Sequence, residues 1–152
     1  MPPVKPVAEG FNTVSVYLTV KGAAEAIAFY AAAFGAEETY RLVGPDGRVG
    51  HAEVRIGDST VMLSDEYPDF GALAPPSVGG SPIKLYLSVP DVDAVAARAV
   101  AAGATLIRPV EDQFHGSRSA LLADPFGHQW FVSTVIEDVT PDEMQRRWNA
   151  AG

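Results

Sequence analysis

Hydrophobic and polar residues alternate along residues 11–20, with Val14, Val16, Leu18 and Val20 on one side and Ser15, Tyr17 and Thr19 on the other. That two-residue period predicts a half-buried strand. The period then lengthens. Across residues 23–34, Ile27, Tyr30, Ala31 and Phe34 recur at helical spacing, and Gly35 follows as a left-handed terminator, which predicts a helix. Strands are predicted at 37–43 and 49–56 around the turn Gly44-Pro45-Asp46-Gly47, and at 59–65 after Gly57-Asp58. Residues 67–82 are rich in Pro, Gly, Ser and Ala and keep neither period, so they read as a linker. Alternation returns at 83–89. Asp91 is placed to cap a helix bearing Val92, Val95, Ala96 and Ala99 and closed by Gly103, and strands are predicted at 105–113, 118–124 and 128–135. Between the last two, Asp124, Pro125, Phe126 and Gly127 match a type I turn position by position. Thr140-Pro141-Asp142-Glu143 forms a capping box with proline at the first helical position, opening a short helix through Trp148.

The two halves repeat one another. VYLTV at 16–20 and LYLSV at 85–89 are offset by 69 residues, the same offset lays Ser59 to Leu63 on His128 to Val132, and Gly35 and Gly103 lie 68 apart. A repeat this long is a duplicated domain half rather than a solenoid. The expected fold is α+β: two tandem β-α-β-β-β modules at 11–66 and 83–136 in one compact domain, with an extended arm at 1–10, the linker at 67–82, and a C-terminal helix and tail at 137–152.

Composition narrows the function. A chain of 152 residues, 47% hydrophobic and 20% charged, suits a soluble protein with a substantial core. A net charge of -8 without any Lys/Arg cluster argues against nucleic-acid and membrane-surface binding. Small molecules are the expected partners. With no cysteine there is no thiolate nucleophile or disulfide framework, and any metal would need His and carboxylate ligands. No apolar leader or membrane-length run is present, so a cytoplasmic protein is expected. Phosphate-loop, nucleophile-elbow and dinucleotide-binding fingerprints are also absent.

The paired modules, VYLTV with LYLSV, FYAAAFGAEE after the first helix and DPFGHQW in the last hairpin resemble the vicinal oxygen chelate superfamily. That superfamily includes glyoxalase I, bleomycin-resistance proteins, fosfomycin-resistance transferases and extradiol dioxygenases. MLSDEYPDF, DQFHGSR and EDVTPDEMQRR look most like its PhnB-like branch. The resemblance implies a half-open mixed-sheet barrel with helices outside, a ligand cavity on the concave faces, and a homodimer. It also implies His or Glu metal ligands on the first and last strands of each module. Here those positions hold Ser15, Met62, Lys84 and Phe131, none of them a usual ligand for a divalent ion. No cofactor is therefore expected.

The alternative is a divalent metal ion in a displaced site. His51 and Glu53 share a strand face, and a third ligand would come from His115, His128, Asp65 or Glu66. The competing reading makes His51 and Glu53 a polar rim, His128 a surface or turn-bracing residue and His115 an exposed loop residue. Lys84 either pairs with a carboxylate such as Glu53, binds an anion, or acts as a base. By strand parity Tyr17, Tyr86 and Phe131 point to the pocket and Trp130 to the core, while Arg55 and Arg118 can add positive charge. The ligand-binding set is thus Ser15, Tyr17, His51, Glu53, Met62, Lys84, Tyr86, Arg118 and Phe131. The expected function is capture of a small, aromatic or anionic molecule, in the manner of antibiotic-resistance binding proteins. Its rival is a lyase, isomerase or dioxygenase, metal-dependent through His51 and Glu53 or metal-free with Lys84 or His51 as base. A partner-binding domain without ligand is the third reading.

Overall fold

Alternation in the first strand sorts the side chains as parity requires. In β1 (Val16–Val20) Leu18 and Val20 are buried, while Tyr17 is exposed. The computed structural model describes residues 2–151. The chain forms two units that part between Gly80 and Ser81.

The first unit holds β1, α1 (Ala23–Phe34), β2 (Glu37–Val43), β3 (Val49–Ile56) and β4 (Ser59–Asp65). Its sheet is ordered β1-β4-β3-β2, with β1 parallel to β4 and the other pairs antiparallel. Helix α1 covers one face of this sheet. There Ala26, Ile27 and Tyr30 are buried with Ala52, Val54, Val61 and Leu63, each larger apolar side chain contributing about 1.5–3 kcal/mol. Gly35 ends the helix at φ 70° and donates its N–H to the Ala31 carbonyl, a conformation that glycine adopts without a Cβ penalty.

The second unit repeats the plan with β5 (Lys84–Ser88), α3 (Val92–Ala102), β6 (Thr105–Asp112), β7 (Ser117–Ala123) and β8 (Gln129–Val135), in the order β5-β8-β7-β6. Trp130 is buried on the α3 side of β8. Together the units form a mixed α+β fold of two four-stranded sheets with a short C-terminal helix, α4 (Pro141–Ala151). Thr140 Oγ1 caps α4 by accepting from the Glu143 N–H.

Several strands of the second unit differ from expectation by a residue at their ends, and three differences are larger. The first strand begins at Val16, because residues 11–15 form no ladder. The linker contains a 3-10 turn at Pro68–Phe70 and α2 (Pro75–Val78), each started by a proline whose fixed φ suits a first helical position. Helix α4 continues past Trp148 to Ala151.

Asp65 has a structural task that its sequence position hides. Its Oδ1 accepts the N–H groups of Gly22 and Ala23 at the start of α1, and its Oδ2 accepts that of Val49. Helix α1 thus has its cap at the end of β4. In the second unit Thr134 Oγ1 accepts the Val92 N–H and donates to the Val89 carbonyl. Thr134 lies 69 residues after Asp65, so the repeat extends to the cap.

Candidate functional sites on the two sheet faces

The face of each sheet turned away from its helix carries rows of polar and aromatic side chains. In the first unit one row of paired residues runs Tyr17, Met62, Glu53, Tyr40 across four strands. His51 stands two residues from Glu53 on β3, so the pleat puts both on this face. Its Nε2 lies 2.9 Å from Glu53 Oε2 and its Nδ1 2.8 Å from the Tyr17 hydroxyl, while Tyr40 donates its hydroxyl to the same Glu53 oxygen at 3.0 Å. Donation to Glu53 raises the Tyr40 phenol above its ordinary pKa. Glu53 and His51 are mostly covered, but Tyr17 is 47% exposed. Tyr17 also lines a hollow of about 630 Å³ with Thr19, Gly50, Ser64, Tyr67 and Phe70.

In the second unit the equivalent row runs Tyr86, Phe131, Leu121, Arg108. The Tyr86 and Phe131 rings lie 6.1 Å apart. The next row runs Ser88, Ser133, Ser119, Glu111, and the buried Ser133 Oγ has no partner among the described residues. These rows open into a hollow of about 450 Å³ lined by Tyr86, Phe131, Arg108, Ser119, Phe114 and His115.

Of the remaining expected site residues only Met62 joins a row. Ser15 is half-buried just before β1, Met62 lies between Tyr17 and Glu53 in their row, and Lys84 is exposed at the start of β5. Glu53, the carboxylate offered to Lys84 by sequence, is bonded by His51 and Tyr40. Arg118 is corrected outright. It stands on the helix side of β7, opposite Thr134 and next to Ser119 of the hollow, and donates to Asp93 of α3 and to Asp112. Those carboxylates, Asp93 foremost, raise its guanidinium pKa. Arg55 donates to Gly10 O and to Thr60, holding the N-terminal arm. His128 is buried rather than at the surface, its N–H donated to Asp124 in the hairpin.

Sequence reasoning missed Arg108, Tyr40 and Ser133. A signal for the first two existed: Arg108 stands 68 residues after Tyr40, and Leu121 stands 68 after Glu53.

The donor chemistry of this chain does not fit the divalent ion of metal-dependent relatives. At the four corresponding positions stand a hydroxyl, a thioether, an ammonium and a phenyl ring, which cannot compose an oxygen and nitrogen ligand set. The displaced alternative also lacks a ligand. Among the described residues no three His, Asp or Glu side chains converge, and Asp65 and Glu66 are committed to backbone N–H groups of Ala23 and Ala74.

The chain belongs to the glyoxalase/bleomycin resistance protein/dioxygenase superfamily, whose family profile matches residues 10–132. Uncharacterized protein Rv0887c of Mycobacterium tuberculosis is 44% identical over 142 residues, covering 91% of this chain and 84% of that protein. The solved structure of the Arabidopsis thaliana At5g48480 product is similar at 26% identity and TM-score 0.65, over 81% of this chain and 98% of that one. TioX from Micromonospora sp. ML1 matches at 25% identity and TM-score 0.63, over 85% and 100%. The fosfomycin resistance protein FosX of Listeria monocytogenes, solved with Mn(II) and sulfate, shares the fold at 18% identity and TM-score 0.63, over 90% and 97%.

Proposed function

We propose that this protein captures a small planar, anionic aromatic molecule on the second unit's sheet face without a metal ion. The observation that carries this reading is the row Tyr86, Phe131, Leu121, Arg108, which places two rings and a guanidinium along one hollow. Aromatic walls supply contact area to a flat ligand, and a guanidinium takes a carboxylate or sulfonate through two parallel N–H donors. No described carboxylate lies within ion-pair distance of Arg108. Ser133 and Ser119 offer hydroxyls one row away. Stoichiometric sequestration, as in bleomycin-resistance proteins, needs nothing further. Membership of the PhnB-like branch, a role against an antibiotic, a cytoplasmic location and a homodimer belong to the same reading, supported by the motif resemblance.

Calorimetric titration with 1-naphthoate and its uncharged amide tests it. Naphthoate is expected to bind more tightly than the amide. Arg108→Met should weaken naphthoate about 10-fold, the equivalent of one charge-assisted hydrogen bond of about 1.5 kcal/mol, and leave the amide unchanged. Equal affinities of the two probes, or an Arg108→Met variant that binds naphthoate like the parent, would overturn the assignment. The rival lyase, isomerase or dioxygenase reading lacks its metal ligands and retains only His51 and Lys84 as bases.

A further inference from the structure

The first unit carries a hydrogen-bonded chain with a chemistry of its own. Glu53, as a carboxylate, only accepts, and its Oε2 receives both the Tyr40 hydroxyl and the His51 Nε2. With the imidazole neutral, Nε2 must then carry the proton and Nδ1 must be bare. Nδ1 faces the Tyr17 hydroxyl at 2.8 Å, so Tyr17 donates to it. The order is carboxylate, imidazole, hydroxyl, with an orienting acid behind a base and the base against a nucleophile. That is the logic of a catalytic triad with a phenol in the outer position.

The exposure of the members follows the same order. Glu53 and His51 are covered, their side chains 14% and 22% exposed, whereas Tyr17 reaches the hollow walled by Tyr67 and Phe70. All of these residues lie in the first unit. The network thus ends on an exposed tyrosine that borders a space of about 630 Å³ walled by aromatic rings.

We infer that Tyr17 is a proton-transfer residue for a small aromatic substrate bearing an acidified proton, on a phenol oxygen or on carbon beside a carbonyl. In the forward step the Tyr17 O–H proton passes to His51 Nδ1, and the imidazolium so formed keeps its Nε2–H on the Glu53 carboxylate. The Tyr17 oxygen simultaneously takes the substrate's proton, leaving the substrate as an anion. The reverse step returns a proton to the same or a neighbouring atom, so the site supports exchange or isomerisation without oxidant or cofactor. Tyr40 is a positioning residue. It donates to the same Glu53 oxygen that Nε2 meets and so holds the carboxylate in place.

The test is selective labelling of the intact protein by phenylmethylsulfonyl fluoride, read by peptide mapping. The Tyr17 oxygen bonds to sulfur, fluoride leaves, and the phenol proton goes to His51. Tyr17 is expected to react faster than Tyr67 and Tyr86, and His51→Gln should slow it about 100-fold, the ordinary contribution of a positioned general base. Labelling of Tyr17 no faster than that of Tyr67 and Tyr86, or labelling unchanged in His51→Gln, would overturn the inference. A second readout needs no variant. Nitrogen-15 spectra of the parent protein should show His51 with a bare Nδ1 and a protonated Nε2 while neutral, and the opposite tautomer would equally overturn it.

Discussion

Single residues do several jobs at once here, Asp124 among them. Its Oδ1 accepts the N–H groups of Phe126 and His128 and its Oδ2 accepts the Trp130 indole N–H, all inside the buried last hairpin. Asp124→Ala would strand the His128 and Trp130 donors away from water, at about 1–3 kcal/mol each. Urea unfolding should therefore show a loss of at least about 2 kcal/mol, with Asp124→Asn losing less because one acceptor oxygen survives. The turn itself was legible, since Asp, Pro and Gly each fit a local geometric demand. The bond to Trp130 was not, because it depends on the pairing of two strands that a turn motif does not specify. Parity likewise separated Tyr17, Tyr86 and Phe131 from the helix faces, whereas Arg118 was assigned to the cavity for its charge alone. A long guanidinium is drawn to whichever carboxylates the packed helix presents, here Asp93. Arg108 was hidden by irregular pairing in β6, where the register shifts between Leu106 and Arg108.

At the scale of elements, helix α4 supports the second unit's hollow from outside. Arg147 donates to the Phe114 carbonyl and to Glu137, and the Trp148 ring lies 5.6 Å from that of Phe114. Phe114 and His115 line the hollow. The loop between them and β7 turns at Gly116, whose φ is 94° and whose added Cβ would fall 2.4 Å from the Glu137 carbonyl oxygen. Gly116→Ala is expected to destabilise by about 2 kcal/mol or more, combining a left-handed conformation with an overlap that backbone cannot relieve. A thermal midpoint equal to the parent's would refute this. Arg147→Ala touches no part of the hollow, yet it should weaken naphthoate binding a few-fold by freeing the Phe114 wall, and calorimetry on the folded variant checks it. Most strands and helices were legible because period and turn chemistry agree along them. The brace between α4 and the loop was not, since Arg147 and Phe114 lie 33 residues apart and neither motif implies the other.

For the whole molecule the governing quantity is charge: 19 acidic side chains against 11 Lys and Arg. Several of the acids are held below their ordinary values by partners made only on folding. Arg41 lowers Glu38, the Arg48 backbone N–H and then its side chain lower Asp46, and the Ser77 hydroxyl lowers Glu66. Arg118 lowers Asp93, Arg147 lowers Glu137, and Arg146 with Arg147 lowers Glu143. A depressed folded-state pKa means that the unfolded chain binds more protons in the acid range, so stability is full above the ordinary values of 4.5 for Glu and 3.8 for Asp. It is lost as pH falls through the folded values. Neutralising acids also relieves the excess negative charge at first, which opposes the loss. Once most carboxylates are protonated, however, the Lys and Arg side chains remain as uncompensated positive charge, and both effects then destabilise. The urea midpoint should hold between about pH 7 and pH 5 and fall steadily below about pH 4.5. Because these pairs are exposed and screened by salt, 1 M sodium chloride should flatten that fall. A midpoint that rises on acidification to pH 3 would mean that self-repulsion outweighs the pairs.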